Sequence, residues 1–473
     1  MIWRQDDFSV KMKMNWLPSI KNKKELLSHG NLEGRKIALD IIEHTLRQTV
    51  PYTFVKKLIR IKGEYLQVDT SEGPVEYYLP AVKNMYVLGG GKGSVTTARA
   101  LEEVLGDRIK EGLIVVKDGG KEKLSKIEVM EAAHPLPDER SVRAAQKVIE
   151  IAKKCQQDDI CFVCITGGTS SLINLPAAGI TIDESAKMSQ MLLNSINNIQ
   201  EINAVRKHFS EVSGGRLGQY IYPATIVNFK QGTKEEEFKG QPWPDLIFED
   251  PTTFEDAINI LKRYQLWEKT PDSVKNHLIK GLSSSDMETP KDVGKLKIYN
   301  TVIPYRQTAC QIAKKRAEEL GLNAMILASM LEGESREIGI GLASVAREIR
   351  DFHSPIKPPG VIIAGGETSV TVRAEAGEGG RNQEFVLGFA TKVGGDKKLV
   401  VAAVDSDGTD GPTNIAGGIA DGYTIENAEK KGIDLIENLK KNNSSYVLRE
   451  LGDVIITGPT GVAVQSIKVV VIL

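Results

Sequence analysis

A lysine set among glycines, in Gly89-Gly90-Gly91-Lys92-Gly93-Ser94, is the first stretch of the chain whose residue types suggest chemistry. An apolar run with strand character precedes it and a helical pattern follows from Ser94, so the stretch is predicted to be a strand-to-helix turn. In such a turn the backbone can approach a ligand, and the N–H groups at the helix start attract an anion. The stretch matches neither the Walker A pattern nor Gly-x-Gly-x-x-Gly. A tight turn with a solvated lysine is the alternative interpretation of this stretch alone.

A second glycine turn, Thr166-Gly167-Gly168-Thr169-Ser170, follows the apolar run 160–165 and again combines backbone freedom with hydroxyl groups. It is not a Gly-x-Ser-x-Gly elbow, so a hydrolase nucleophile is not indicated. The run before it contains Cys161 and Cys164. Residues three apart in a strand point to opposite faces, so we predict buried core cysteines and no joint metal site.

Charged residues in the second half of the chain suggest a complementary set. Asp405, Asp407 and Asp410 follow a predicted buried strand, and such carboxylates suit Mg²⁺, which also takes water and substrate phosphates. An Asp/Gly turn that bonds its own backbone is the alternative. Arg381 opens a predicted helix behind several glycines, with Glu384 expected to orient it, and its guanidinium suits a carboxylate or a phosphoryl group.

The elements that carry these residues alternate between buried strands and amphipathic helices, which predicts an α/β fold with a doubly wound, mostly parallel sheet. Ligands of such sheets bind beyond the carboxyl ends of the strands. The 473 residues favour two domains, and the linker-like composition of 283–294 places the predicted domains at 1–285 and 286–473. The strand expected at 297–303 would open the second domain, and 228–250 is predicted to be a loop or lid.

Composition excludes several classes of function. Lys and Arg number 61 against 62 Asp and Glu, and a net charge of -1 gives no electrostatic case for nucleic acid or a membrane surface as a partner. No apolar run approaches the roughly 20 residues of a membrane span, and the charged N-terminus does not read as a signal peptide. We therefore expect a cytoplasmic protein, and the sequence is compatible with a homo-oligomer. Four cysteines in so long a chain do not make a disulfide framework.

Taken in order, the motifs of the chain resemble those of the glycerate 2-kinases of the MOFRL family, from about residue 80 to the end. They are Gly91-Lys92, 131–138 (EAAHPLPD), 166–170 (TGGTS), 203–208 (NAVRKH), 365–368 (GGET), 379–384 (GGRNQE), 407–413 (DGTDGPT) and 457–461 (TGPTG). The resemblance implies a larger Rossmann-like three-layer α/β/α N-terminal domain, a smaller C-terminal α/β domain and an active site in the cleft between them. It further implies ATP- and Mg²⁺-dependent phosphorylation of D-glycerate to 2-phosphoglycerate, with Lys92 and Arg381 as the catalytic residues.

Two segments depart from the family pattern: Asn228-Phe229-Lys230-Gln231 stands where a Ser-Asp-Val stretch is usual, and 462–466 (VAVQS) replaces a Thr-Asn-Val-x-Asp ending. An acidic residue cannot be carried over to the first, and any ligand contact from the second is in doubt.

Combining residues and resemblance, we assign Lys92 and Arg381 to the transferring phosphoryl group or to the glycerate carboxylate, Arg206 to a further anion clamp, and the aspartates to Mg²⁺. The general base is left open between one of the aspartates and His134. The residues expected to bind the substrates, glycerate and ATP, are Gly89, Gly90, Gly91, Gly93, Ser94, His134, Gly167, Gly168, Thr169, Ser170, Arg206 and Glu384; those expected to bind metal are Asp405, Asp407 and Asp410.

Two other functions are compatible with this fold. The first is an NAD(P)H-dependent hydroxypyruvate reductase, against which neither glycine turn carries the dinucleotide fingerprint. The second is a metabolite-binding protein that keeps the fold without turnover.

Overall fold

A computed structural model describes residues 17–196, 198–231, 246–303, 305–372 and 376–473. The helices of this part of the chain are α1 (Lys23–Leu26), α2 (Leu32–Gln48), α3 (Pro51–Leu58), α4 (Ser94–Leu105), α5 (Glu139–Ala152), α6 (Thr169–Leu172), α7 (Ile182–Ser195), α8 (Ile199–Lys207), α9 (Arg216–Ile221), α10 (Phe254–Arg263), α11 (Asp272–Gly281), α12 (Arg306–Glu319), α13 (Ser335–Phe352), α14 (Arg381–Val393), α15 (Thr424–Lys430), α16 (Leu435–Lys440) and α17 (Ser444–Leu451).

The strands form three sheets. They are β1 (Ile59–Lys62), β2 (Tyr65–Thr70), β3 (Gly73–Tyr78), β4 (Met85–Gly90), β5 (Ile109–Lys117), β6 (Glu128–Ala132), β7 (Ile160–Ile165), β8 (Thr225–Gln231), β9 (Ile298–Ile303), β10 (Asn323–Ala328), β11 (Gly360–Gly366), β12 (Leu399–Asp405), β13 (Gly417–Asp421), β14 (Val454–Ile455) and β15 (Ser466–Ile472). The first three make a small antiparallel sheet, which contains the predicted hairpin at 64–80.

The first large sheet has the order β6-β5-β4-β7-β8-β9, and every neighbouring pair in it is parallel. The strand order reverses between β4 and β7, which makes the crevice beyond their carboxyl ends the topological switch point of a Rossmann-like sheet. Both predicted glycine turns follow these two strands. The doubly wound parallel sheet expected from the sequence is therefore confirmed.

Helices cover both faces of this sheet, which explains why its two central strands, β4 and β7, carry no charged residue and are almost entirely buried. Val87 and Phe162 face the core that includes α4, whereas Leu88 and Val163 face the core that includes α5. Cys161 and Cys164 are buried and unbridged, one in each core, as predicted.

The second large sheet has the order β10-β11-β15-β12-β13-β14 and is mixed. Strand β10 is parallel to β11, but the last strand, β15, enters between β11 and β12 and is antiparallel to both. The resumed alternation of strands and helices predicted a second α/β unit without indicating this insertion. A strand between two others is covered on both sides, so a polar surface strand is not suited to that position. Strand β15 is suited to it, since all of its residues are buried.

Two expectations about the middle of the chain are corrected. Residues 228–231, predicted to begin a loop, belong to β8 between β7 and β9; residues 232–245 lie outside the described part. The strand at Ile298–Ile303 was expected to open the second domain, yet it completes the first sheet. The boundary at residue 285 stays a prediction.

The N-terminal helix α2 packs against the second sheet, on β12 and β15. Its Arg35 is fully buried and pairs with Asp421 and Asp453, each at 2.6 Å. This arginine therefore joins the beginning of the chain to the C-terminal sheet. Among the described helices there is none whose length and hydropathy would let it traverse a bilayer.

Candidate active site

The glycines around Lys92 allow two loops to pack closely at the switch point. Gly89 and Gly91 have φ of 150° and 122°, a region that favours glycine. A Cβ added to Gly89 would lie 2.1 Å from the carbonyl oxygen of Cys164, and one on Gly91 would lie 2.2 Å from Thr166 Oγ1. The turn after β4 is thus fixed against the turn after β7.

The backbone N–H groups of the first turn already have acceptors within the protein. They are the carbonyl of Val115 for Gly91 (3.0 Å), the carbonyl of Gly167 for Lys92 (2.9 Å), Thr166 Oγ1 for Gly93 (3.0 Å) and the carbonyl of Gly91 for Ser94 (3.3 Å). The expectation that these donors are aimed at an anion is therefore not supported by the structure. What the turn does is hold the Lys92 side chain in place.

The turn after β7 has a buried side, which contains Thr169, and a solvent-exposed side, which contains Gly167. Thr169 is buried, and its hydroxyl lies 2.7 Å from the Gly90 carbonyl and 2.6 Å from the Thr166 carbonyl, so it serves the packing of the turns. Gly167 is exposed, with no atom within 4 Å of a Cβ placed on it. Gly168 precedes α6 with φ of 96°, and Ser170 lies partly buried in that helix. Space for a ligand is therefore found beside Gly167.

Cations from the first sheet meet carboxylates from the second. Lys92 Nζ lies 2.6 Å from Asp407 Oδ2, and Lys117 Nζ, from the end of β5, lies 3.1 Å from the same oxygen. Arg381, the first residue of α14, pairs with Glu367 at 2.5 Å and with Asp405. The structure thus brings Lys92 and Arg381 to one site between the two sheets.

Burial and charge set the pKa values of these groups. Burial opposes ionisation of Asp407, but the charges of Lys92 and Lys117 outweigh it and hold its pKa well below the usual range. Burial and the neighbouring charge of Asp407 raise the pKa of Asp405 to about 6. Burial alone would lower the pKa of Lys92, yet Asp407 and Asp405 raise it, so this lysine is charged at neutral pH.

His134 lies next to this cluster. A Cβ on Gly168 would lie 3.0 Å from its Cδ2 and 3.7 Å from Lys92 Cγ, so the imidazole and the lysine stem line the same glycine. Burial, followed by the charges of Lys92 and Lys117, lowers the pKa of His134 to about 4. The imidazole is therefore neutral at pH 7 and has a nitrogen able to accept a proton. Arg206 lies close enough for its charge to contribute to the same shift.

Asp410 and Glu384 have different places from those predicted. Both carboxylate oxygens of Asp410 accept backbone N–H groups at the start of α14, from Asn382 at 3.1 and 3.0 Å and from Gln383 at 3.0 Å. Asp410 therefore caps the helix that begins with Arg381, and its oxygens are not free for a metal. Glu384 is buried and accepts from Asn442 at 2.8 Å. The prediction that Glu384 orients Arg381 is wrong, because Glu367 and Asp405 do so.

Sequence reasoning missed Lys117 and Glu367. Lys117 directly follows the apolar end of β5, and a cation at the carboxyl end of a parallel strand was a usable signal. Glu367 lies in the motif 365–368 (GGET), which gave no indication of its role. The segment 462–466, placed in doubt by its departure from the family pattern, also reaches the site: Ser466 Oγ accepts from Arg381 Nε at 3.3 Å, and Gln465 donates to Glu367 at 3.1 Å.

The donor set can be compared with what Mg²⁺ requires. Within the described ranges no three His, Cys, Asp or Glu side chains converge on one metal position. Mg²⁺, however, is commonly held by one or two carboxylates together with water and substrate phosphates. Asp405 and Asp407 fit that requirement, because both are buried carboxylates and ionisation of Asp405 is opposed by its neighbour. Their Oδ2 atoms face side-chain cations, Arg381 for Asp405 and Lys92 with Lys117 for Asp407, whereas the oxygens of Asp410 are held by the backbone at the start of α14. Asp410 therefore does not fit the requirement.

Fold and site together define a two-domain α/β protein in which a cluster of cations and carboxylates lies at the switch point of a Rossmann-like sheet. Comparison with known proteins agrees with this class. Residues 37–230 match the model described as "Domain of unknown function (DUF4147)", and residues 360–466 match the MOFRL family.

Characterised relatives cover nearly the whole chain. A glycerate 2-kinase of Pyrococcus horikoshii is 36% identical over 93% of this chain and 98% of its own, and a D-glycerate 2-kinase of Thermotoga maritima is 35% identical over 88% and 98%. The crystal structure of a Thermotoga maritima glycerate kinase superposes with a TM-score of 0.76 at 33% identity, over 93% of this chain and 99% of that one. The chain belongs to the glycerate kinases of the MOFRL family, and the fold and kinase class expected from its motifs are confirmed.

Proposed function

We propose that this protein transfers the γ-phosphoryl group of ATP to the 2-hydroxyl of D-glycerate, giving 2-phosphoglycerate. The observation that carries the proposal is the meeting of Lys92, Lys117 and Arg381 with Asp405 and Asp407 between the two sheets. Phosphoryl transfer requires positive charge held in place around the moving group, and little covalent chemistry from the protein.

Lys92 and Arg381 act on the transferring phosphoryl group in this proposal. Both are charged at neutral pH, and each is paired with a buried aspartate, Asp407 for Lys92 and Asp405 for Arg381. Because these aspartates lie at or just beyond the end of β12, the cations are in place before the substrates bind. Such preorganised charge stabilises the transition state without reorganisation during the reaction.

Asp405 and Asp407 would hold Mg²⁺, which when bound neutralises charge on the phosphate oxygens and orients them. The proton of the glycerate hydroxyl has two candidate acceptors. Asp405, with a pKa of about 6, is mostly ionised at pH 7, and His134, with a pKa of about 4, is neutral. Because Asp405→Asn would also remove a proposed Mg²⁺ ligand, the pH profile of His134→Gln decides: loss of its acidic limb identifies His134 as the base, and an unchanged acidic limb assigns the proton to Asp405.

The hydroxypyruvate reductase alternative has no dinucleotide fingerprint in its favour. In addition, the N–H groups of the first glycine turn, which would have to meet a pyrophosphate, donate to protein acceptors. Small molecules are the expected partners; we further propose a cytoplasmic location, and a homo-oligomer stays a prediction.

One experiment separates the candidate functions. The protein is incubated with D-glycerate, ATP and MgCl₂, and in parallel with hydroxypyruvate and NADH, while ADP formation and NADH oxidation are followed. We expect ADP formation only, with a phosphorus NMR signal of the product coupled to the C2 proton. NADH oxidation without ADP formation would establish the reductase, and ATP binding without turnover would establish a binding protein.

A further inference from the structure

Arg206 differs from the basic residues around it. It lies in the last turn of α8, where the next residue, Lys207, is buried and pairs with Asp250 at 3.4 Å. The nearby Arg216 donates to backbone carbonyls, including that of Met287 at 2.8 Å. Arg206 is partly buried and its Nε is fully enclosed, yet this Nε lacks a hydrogen-bond partner, and in the described part of the chain no carboxylate pairs with the guanidinium.

A buried guanidinium without a counter-ion is costly for a folded protein. Burial lowers the pKa of Arg206 to about 10, so the group is still charged at neutral pH. The neighbouring Lys207 shows that this helix pairs a buried cation where the pairing is structural. An unpaired one is explained if a ligand supplies the negative charge.

Arg206 is also close to the reacting groups. Its charge contributes to the low pKa of His134, together with those of Lys92 and Lys117. His134 in turn lines Gly168 beside the Lys92 stem. The guanidinium, on α8 of the first domain, therefore lies within electrostatic range of His134, which borders the Lys92 side chain.

The chemistry of the anion follows from the contrast between the cations. Lys92, Lys117 and Arg381 each face a carboxylate that a metal and phosphate oxygens would engage, whereas Arg206 has no acidic neighbour of this kind. A guanidinium binds a carboxylate through two parallel hydrogen bonds without any metal. We propose that Arg206 binds the carboxylate of the acceptor, so that the site selects 2-hydroxy acids over neutral polyols. This inference rests on the proposed function, and it leaves Lys92 and Arg381 to the phosphoryl group.

The test compares Arg206→Gln, which removes the charge, with Arg206→Lys, which keeps the charge but loses the planar fork. Because truncating one partner of a buried charge pair is costly, we expect Arg206→Gln to raise KM for D-glycerate about 30-fold or more. KM for ATP should be unchanged, and the preference for D-glycerate over glycerol as acceptor should fall by a similar factor. The KM of Arg206→Lys for D-glycerate should lie between those of the unmodified protein and Arg206→Gln.

Arg263→Gln is the matched control. Arg263, on α10, is exposed and pairs with Glu201, which lies on α8 as Arg206 does. This variant should therefore behave as the unmodified protein. Circular dichroism and thermal unfolding confirm that each variant is folded.

Calorimetric titration with D-glycerate alone tests the inference separately from turnover. If the protein phosphorylates nothing, loss of D-glycerate binding in Arg206→Gln still supports the assignment, while the proposed function fails. A rise in KM for ATP with D-glycerate binding intact would show that Arg206 binds a nucleotide phosphate, and would overturn it. Unchanged D-glycerate binding together with unchanged KM for both substrates would overturn it equally.

Discussion

Replacing Lys92 by methionine tests the central assignment most directly, because methionine keeps an unbranched side chain of similar length and removes the charged ammonium group. Lys92 Nζ lies 2.6 Å from Asp407 Oδ2, and Lys117 Nζ lies 3.1 Å from the same oxygen. Asp407 therefore keeps one cation in Lys92→Met, and the variant should be folded. Any large loss of rate then reports on the reaction and not on the fold.

The expected loss follows from the role of the charge. Removing one preorganised group that stabilises the charge of a transition state costs about 3–4 kcal/mol, or about 100- to 1,000-fold in kcat. The assay is ADP release with saturating D-glycerate and MgCl₂. Lys56→Met is the control, since Lys56 pairs with Glu103 at 2.9 Å on the surface and such pairs contribute at most about 1 kcal/mol.

Adding Lys117→Met completes a double-mutant cycle. The double variant leaves Asp407, whose side chain is 3% exposed, without either lysine. Breaking a buried pair in this way costs about 3–5 kcal/mol of unfolding free energy, so the stability losses of the two single variants should sum to less than that of the double variant. A kcat within tenfold of the unmodified protein in Lys92→Met, or additive stability losses, would refute the reasoning.

Three further perturbations have expected outcomes. The pKa of His134 falls from 6.5 to about 4 on folding, so between these pH values only the unfolded chain binds the proton. The free energy of unfolding should therefore rise by about 3 kcal/mol from pH 4 to pH 6.5. His134→Gln should reduce this pH dependence in urea titrations. Arg35→Met removes the buried cation from Asp421 and leaves Asp453 only its contact with His29, so it should cost about 3–5 kcal/mol in urea unfolding. Gly91→Ala would place a Cβ 2.2 Å from Thr166 Oγ1 and should reduce kcat by displacing the turn, whereas Gly63→Ala, at an open site with φ of 58°, should not.

The controls for these variants decide between a local and a general effect. Arg60→Gln removes an arginine from an exposed pair with Asp69 and should change stability by no more than about 1 kcal/mol, in contrast to Arg35→Met. An unchanged slope in His134→Gln would show that another group binds the proton. Equal activities of the two glycine variants would show that the close packing of the turns does not position Lys92.

The centre of the first sheet could be predicted because β4 and β7 are buried on both faces and are short apolar runs in the sequence. Strand β8 escaped prediction because it contains Asn228 and Lys230, and Asn228 Nδ2 donates to Asn300 Oδ1 on β9 at 2.9 Å, a partner that only the sheet supplies. Strand β13 begins with two glycines, and all of its residues are buried by neighbours distant in sequence. Patterns of hydrophobicity cannot reveal such long-range satisfaction of polar or small residues.

The sequence by itself determined that Lys92 and Arg381 sit among glycines at helix starts, and that aspartates follow a buried strand. Local chemistry is enough for that, because turns, caps and apolar periodicity depend on adjacent residues. Only the tertiary structure decided which charges meet. Lys117 and Asp407 are 290 positions apart and come together because two sheets face each other, while Asp410, three positions after Asp407, accepts from the start of a helix instead. Pairing between charges depends on distances across the fold, and no spacing along the chain encodes them.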